Sequence, residues 1–345
     1  MTTTEAPSGK ALLLLPRLRV QNANAIASPM TWGFPSITAF IGLMRAIERK
    51  LAGRAGLEFH GVGVICHGFE AQATSTGYTR SFHLTRNPVG QDGGTAGIVE
   101  EGRVHLDISL LFDVDMNLAQ SDDAQRQQIA DDIGELVAGM RVAGGSVMPA
   151  LPSPVRRPTR PRLVLVSDDE VQRQKDFGRL CRRLLPGFAL VSRDDLLQEH
   201  SARLKDADPN ATALDAWLDL SRLNYRAIRT ERTDAKTGAT SEAVEWALER
   251  RKGWTVPIAV GYAALSELYD PGTVANARDA TTQFRFVESI YSMGQWISPH
   301  RLRNANELLW HEHFDDAAGL YRCRNDFRPP VSPSSSAIPA HNDRP

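Results

Sequence analysis

Acidic residues are missing from three long stretches of this chain. Residues 6–47, 71–91 and 141–167 hold no Asp or Glu, although the chain as a whole carries 41 acids against 40 Lys and Arg, a formal net charge of −1. That near-neutral total argues against a protein that grips nucleic acid through bulk charge, because such domains are usually basic. It leaves room for a local anion site, since the acid-free stretches carry Lys10, Arg17, Arg19, Arg45, Arg80, Arg86, Arg141, Arg156, Arg157, Arg160 and Arg162. Cysteine is scarce as well. Cys66, Cys181 and Cys323 are odd in number and far apart, which fits reduced, buried thiols better than a disulfide framework or a zinc site. Long apolar runs are absent: ALLLLP stops at a proline, far short of the roughly 18 to 20 residues of a membrane span. The opening MTTTEAPSGK has neither a basic region nor a cleavage pattern, so the expectation is a cytoplasmic protein with no membrane contact.

Catalytic signatures are equally thin. No GxxxxGK[ST] loop occurs, and GVGVIC at 61–66 lacks the third glycine of a dinucleotide fingerprint. HEHF at 311–314 lacks the spacing that sets two imidazoles on one helical face, so neither a metal nor a cofactor is expected. His67, in CHGFEA, has the chemistry of a base, but the sequence beside it supplies no nucleophile and no orienting acid. It reads as a packed or RNA-contacting histidine.

What is present is a pattern of elements. ALLLLPRLRV (11–20) reads as a strand with Leu13, Leu15, Arg17 and Arg19 on one face and Leu12, Leu14, Leu18 and Val20 on the other, Gln21 continuing the arginine face. Pro35 suits the first turn of a helix, and Ile37, Phe40, Ile41, Met44, Ile47 and Leu51 follow at helical spacing. LEFHGVGVIC (57–66) and GRVHLDISLLFDV (102–114) read as strands, a helix is expected near 121–139, and RVAGGSVM (141–148) as a glycine turn feeding a short strand. The order β-α-β-β-α-β implies an α+β protein with a ferredoxin-like, RRM-like core over residues 11–150, interrupted by a thumb-like insertion at 71–103 that contains GQDGGTAG. A Pro-rich connector follows. Residues 151–328 read as a mixed but mostly helical elaboration for partner binding, with helices near 168–185, 194–206, 212–229 and 300–312, a polar loop at 230–243, and a disordered Pro/Ser tail at 329–345.

In a ferredoxin-like sheet the β1–α1 loop, the β2–β3 insertion and the α2–β4 turn leave at one edge. Arg17, Arg19, Arg80, Arg86 and Arg141 would gather there with Gln21, Asn22 and Asn24, forming an anion-binding rim suited to one phosphate backbone. Gly144, Gly145 and Ser146 are either plain turn chemistry or a place where backbone N–H groups approach phosphate. Trp32 and Phe34 either cap the core or stack on an unpaired base. Ser28 and His67 complete the candidate RNA-contacting set.

The segments LLLLPRLRVQNANAIASPMTWGFPS, GVGVICHGFEAQ, FHLTRNP, GMRVAGGSVMP, RRLLPGFALVSR, GWTVPIAVGYAALSELY and FRFVESIYSMGQWISPHR, in that order, closely resemble the second subunit of the type I-F CRISPR surveillance complex, the Csy complex or I-F Cascade. The likeness spans nearly all of 11–328. It implies a non-catalytic antiviral-defence subunit of the repeat-associated RNA-binding kind, which caps the 5′ handle of the crRNA, pairs with the large subunit, abuts the adjacent backbone subunit and lies near target double-stranded DNA. A second reading is a metal-independent repeat endoribonuclease of the same fold, with His67 or His83 as base. A third is an adaptor that touches only protein.

Overall fold

The computed structural model describes residues 8–51, 56–77, 79–86, 89–90, 92–95, 97–117, 122–149, 159–233, 240–249, 251 and 253–329. Arg156 and Arg157 of the connector, Gln91 and Ala96 of the insertion, and all of the expected tail except Pro329 lie outside these residues. The first half runs β1 (Ser8–Asn24), β2 (Ile26–Ser28), β3 (Thr31–Trp32), α1 (Ile37–Leu51), β4 (Leu57–Ala71), β5 (Ala73–Thr76), β6 (Thr79–Phe82), β7 (Leu84–Arg86), β8 (Ile98–Glu100), β9 (Arg103–Asn117), α2 (Asp123–Ala138), β10 (Arg141–Val142) and β11 (Gly145–Met148). The second half runs β12 (Arg162–Leu165), α3 (Glu170–Arg183), β13 (Phe188–Ser192), α4 (Asp194–Ala207), α5 (Ala213–Ser221), β14 (Tyr225–Thr233), β15 (Thr240–Leu248), β16 (Trp254–Ala264), β17 (Val287–Ile297), β18 (Leu309–Asp315) and β19 (Leu320–Asn325).

One antiparallel sheet organises the molecule. Its neighbours are β10-β11-β1-β9-β4-β13-β17-β16-β19-β18, with β12 also paired to β1 and β18 also paired to β4. The last pairing closes β4, β13, β17, β16, β19 and β18 into a ring, which removes the edges that six strands would otherwise expose. β4 can bend between these partners because its glycines leave room: a Cβ on Gly63 would stand 2.6 Å from the Leu308 side chain.

The two faces are set by period-two alternation. On β9, Val104, Leu106, Ile108, Leu110, Phe112 and Val114 all enter one core, as the sequence pattern predicts, together with Phe40, Ile41, Met44 and Ile47 of α1 and Ile133 and Val137 of α2. On the opposite face α3 lays Phe177 and Cys181 against Leu14, Ile65 and Leu111. At roughly 25 cal/mol per Å2 of buried apolar surface, these two layers supply the main stabilising contribution to the fold. α5 packs Trp217 and Leu220 against Met293 of β17.

β1 departs from strict alternation. Its register against β9 shifts between Leu15 and Leu18 and again between Val20 and Ala23, and the positive-φ residues Arg17 (φ 56°) and Asn22 (φ 57°) sit in these two bulges. Pro16 has no N–H to give to the ladder, which suits the first bulge. Leu13, Leu15, Val20 and Ala23 consequently share one core, so the expected placement of Val20 opposite Leu13 and Leu15 is corrected. Arg17 is turned to the other face, where it meets Asp107.

Beyond residue 150 the elaboration is mixed and rich in strands, which corrects the mostly helical expectation. The helix expected at 212–229 begins with a Thr212–Asp215 capping box but ends at Ser221, after which Arg222 is extended and β14 follows. Part of the expected polar loop is instead the β14–β15 hairpin, residues 234–239 lying outside the described residues. The helix expected at 300–312 is two single 3-10 turns and then β18, because pairing with β19 and β4 satisfies that backbone. Among the described residues no helix is long and apolar enough to cross a membrane.

Candidate functional site

Three connections meet at the end of the sheet where β1 leaves it. The Asn24 N–H donates to the Ala143 carbonyl at 2.8 Å, tying the β1 exit to the β10–β11 turn, and the Ala25 N–H donates to Gly102 O at 2.9 Å, tying it to the start of β9. The insertion joins them through aromatic contact. Trp32 packs edge-on against Phe82 with centroids 5.6 Å apart, and the Arg80 guanidinium lies over the Trp32 ring at 5.6 Å. Both Trp32 and Arg80 are exposed.

The polar face beside this junction grows out of the alternation on β9. Between the buried Val104, Leu106, Ile108 and Leu110 stand His105, Asp107 and Ser109. Arg17 pairs with Asp107 at 3.3 Å, and its backbone N–H donates to Ser109 Oγ at 3.0 Å. His67 joins from β4, with Nε2 2.7 Å from Ser109 Oγ and Nδ1 2.7 Å from the Pro186 carbonyl. A carbonyl only accepts, so Nδ1 carries a proton and donates it to Pro186 O. The Asn22 N–H donates to His105 Nδ1 at 3.1 Å, which presents the Asn22 side chain outward.

The expected residues therefore divide. Arg19 donates to Pro149 O at 3.0 Å and Arg141 to Gly144 O at 3.0 Å, so with Arg80 these cations have neutral partners and keep their charge available to an anion. Asn22 and Ser146 are exposed, and Gln21, half-buried, sits opposite Ser146 in the β1–β11 ladder. Arg86 lies on β7 opposite Ile98. Asn24 is spent on its own turn, since its amide both accepts the Ile26 N–H at 3.0 Å and donates to Ile26 O at 2.8 Å. Ser28 is buried and caps the β2–β3 turn, accepting from the Met30 and Thr31 N–H groups.

Two aromatic and glycine alternatives are decided by packing. Phe34 stacks on Phe40 at 5.7 Å and meets Trp296 edge-on at 4.9 Å, so it belongs to the core, whereas Trp32 stays 44% exposed. Gly144 takes φ 79°, the left-handed geometry of the turn. Gly145 is needed for a different reason: a Cβ there would stand 2.6 Å from Gln21 O and 2.7 Å from Ala23 N, so its close backbone approach is to its own β1 strand.

His105, Asp107 and Ser109 were not among the residues expected from the sequence. Their signal was available as the polar half of the β9 alternation. Asp107 is also notable because its buried Oδ1 has no hydrogen-bond partner among the described residues, leaving an acceptor beside the cations. Chemically, the region combines exposed guanidinium groups, outward amides and an exposed indole, a mixture suited to holding a single nucleic-acid strand by its phosphates while touching sugar or base edges.

The chain is similar to known proteins over most of its length. A family model described as CRISPR-associated protein (Cas_Csy2) matches residues 13–323. The CRISPR-associated protein Csy2 of Pseudomonas aeruginosa (strain UCBPP-PA14) is 48% identical over 315 residues, covering 91% of this chain and 94% of that protein.

Proposed function

The chain belongs to the Cas_Csy2 family of CRISPR-associated proteins, and from that membership we propose that it is the non-catalytic subunit of a type I-F complex that caps the 5′ handle of the crRNA. In this reading residues 11–150 form a ferredoxin-like RNA-binding core with a thumb-like insertion, and residues 151–328 serve partner binding. The core reading is supported by the strand order β11-β1-β9-β4 with α1 and α2 packed on one face. The partners are the large subunit, the adjacent backbone subunit and, nearby, the target DNA duplex.

The observation that carries the RNA assignment is the junction itself. Arg19, Arg80 and Arg141 come from three separate segments to one end of a sheet, each held by a neutral partner, in a chain of net charge −1. The endoribonuclease reading has less support, because both ring nitrogens of His67 are already engaged and neither is presented to a substrate. The His83 ring meets Thr74 Oγ1 at 3.2 Å and no orienting acid among the described residues.

The test is to reconstitute the complex and titrate it with native and scrambled handle RNA at several salt concentrations, then incubate the protein with repeat RNA in the absence of metal. Preference for the native handle without cleavage supports the proposal. Site-specific cleavage favours the endoribonuclease, and equal binding of both RNAs removes the handle from the assignment.

A further inference from the structure

On the sheet face opposite α1 and α2, far along β1 from the RNA-facing junction, a groove of about 390 Å3 lies between α3 and β12. We propose that it docks an acidic segment, studded with apolar side chains, from a protein subunit of the same assembly; this rests on the functional reading above. The floor is apolar, built by Leu12, Val164, Phe177 and Leu180, and Val164 is left 42% exposed. The rim is basic. Five cations (Lys10, Arg162, Arg173, Arg179, Arg183) face three acids (Asp113, Glu170, Asp176). Arg173 and Arg179 are neutralised within α3 by Glu170 at 2.8 Å and Asp176 at 2.9 Å. Lys10, Arg162 and Arg183 are exposed and form no ion pair among the described residues, which leaves an excess of positive charge around an apolar floor that is partly exposed at Val164.

Charge complementarity therefore calls for carboxylates, and the floor calls for apolar groups between them. A nucleic-acid strand meets only half of that demand. It would satisfy the cations, but the one aromatic ring in the groove, Phe177, is 5% exposed and offers no surface for base stacking. The backbone adds a third element. Among the described residues β12 pairs with β1 alone, so its outer edge is open to an added strand, and Val164 and Arg162 stand beside that edge.

The proposal is tested on the complex co-expressed with its neighbouring subunits and guide RNA. A zero-length carbodiimide cross-linker joins amines to carboxylates in direct contact, and it is expected to link Lys10 to an Asp or Glu of a partner subunit. The pair Arg162→Glu and Arg183→Glu should lower retention of that partner by roughly tenfold, as loss of interfacial charge complementarity does, while handle-RNA titration of the subunit that remains is unchanged. Thermal unfolding confirms that the variant folds, and the milder Arg162→Gln, Arg183→Gln pair should move retention in the same direction. Retention equal to wild type with no Lys10 cross-link overturns the proposal. So does a Lys10 link to this chain's own Asp343, or a loss of RNA rather than of partner. In those outcomes the functional reading stands. If the wild-type chain joins neither subunits nor guide, that reading fails and the groove proposal falls with it.

Discussion

His67 and Ser109, on neighbouring strands β4 and β9, share a hydrogen bond of 2.7 Å, and the same serine oxygen receives the backbone N–H of Arg17 from β1. Three strands are thus joined through one buried hydroxyl beneath the polar face. The bulge that gives Arg17 its positive φ is what points that N–H at the serine rather than into the ladder.

Ser109→Ala should therefore destabilise the protein although it removes a single atom. It strips the half-buried Arg17 N–H of this acceptor and the His67 ring of this partner, a loss of about 1 to 3 kcal/mol. Urea denaturation of the purified chain measures it. An unchanged midpoint would mean that water substitutes fully for the hydroxyl.

The two glycines of the β10–β11 turn should differ in kind. Gly144→Ala meets no neighbour within 4 Å but must hold φ 79°, a cost of about 1 to 2 kcal/mol. Gly145→Ala drives a Cβ against the backbone of Gln21 and Ala23, so β11 must move off β1. Hydrogen exchange should show loss of protection at residues 19–21 and 146–148 in the second variant only.

Charge and readout should separate at the junction. Arg19→Ala and Arg141→Ala are expected to weaken binding to RNA of any sequence and to flatten its salt dependence by a slope of about 0.7 per lost phosphate contact. Asn22→Gly keeps the left-handed backbone and deletes the exposed amide, so it should instead erode preference for the native handle, by about 1 to 3 kcal/mol if the contact matches a good bidentate one. Asn24→Ala is not an equivalent test, because that amide holds its own turn. Titrations at several salt concentrations decide; variants that bind both RNAs like wild type would place the handle elsewhere.

Acid should loosen the contact between α1 and β4, where the Phe59 N–H donates to the Glu48 carboxylate at 3.0 Å. Burial alone would raise the Glu48 carboxyl, but the Phe59 N–H and the Arg45 guanidinium, which also holds Glu312, outweigh it and lower its pKa from the usual 4.5. The unfolded chain then binds more protons than the folded one in that range, so the stabilisation is present above 4.5 and is lost as pH falls below it. Glu48→Gln should make the acid limb of the stability profile shallower, read as urea midpoints at neutral and acidic pH.

The thiols should be inert in the native protein. Burial pushes Cys66 up to about 11 and Cys181 and Cys323 up to about 12, so little thiolate exists at neutral pH. Iodoacetamide labelling should be slow for all three and become rapid in urea. Fast native labelling of one of them would show an opening that the packing does not predict.

The main helices and strands of the first half, and the inward face of α1 and β9, were legible in the sequence, because helical and period-two spacings are local properties of the chain. The spacing of Ile37, Phe40, Ile41, Met44 and Ile47 marked α1, and the alternation from Val104 to Phe112 marked β9. The acid-free stretches also marked which segments carry cations without acids of their own, since a missing charge is visible without coordinates. Other features depend on strand pairing across the sheet. The first bulge in β1 reversed the face of Arg17 and Val20; Pro16 permits a bulge there, but the register shift itself comes from pairing with β9. Residues 309–312, expected at the end of a helix over 300–312, became part of β18 because β4 and β19 were there to pair with them. The roles of individual side chains were settled the same way: Phe34 went to the core and Asn24 to its turn, while His67 was locked by Ser109 and Pro186, because each met partners remote in sequence or satisfied its own backbone first. Spacing along a chain cannot encode such contacts, which exist only once non-local strands have paired.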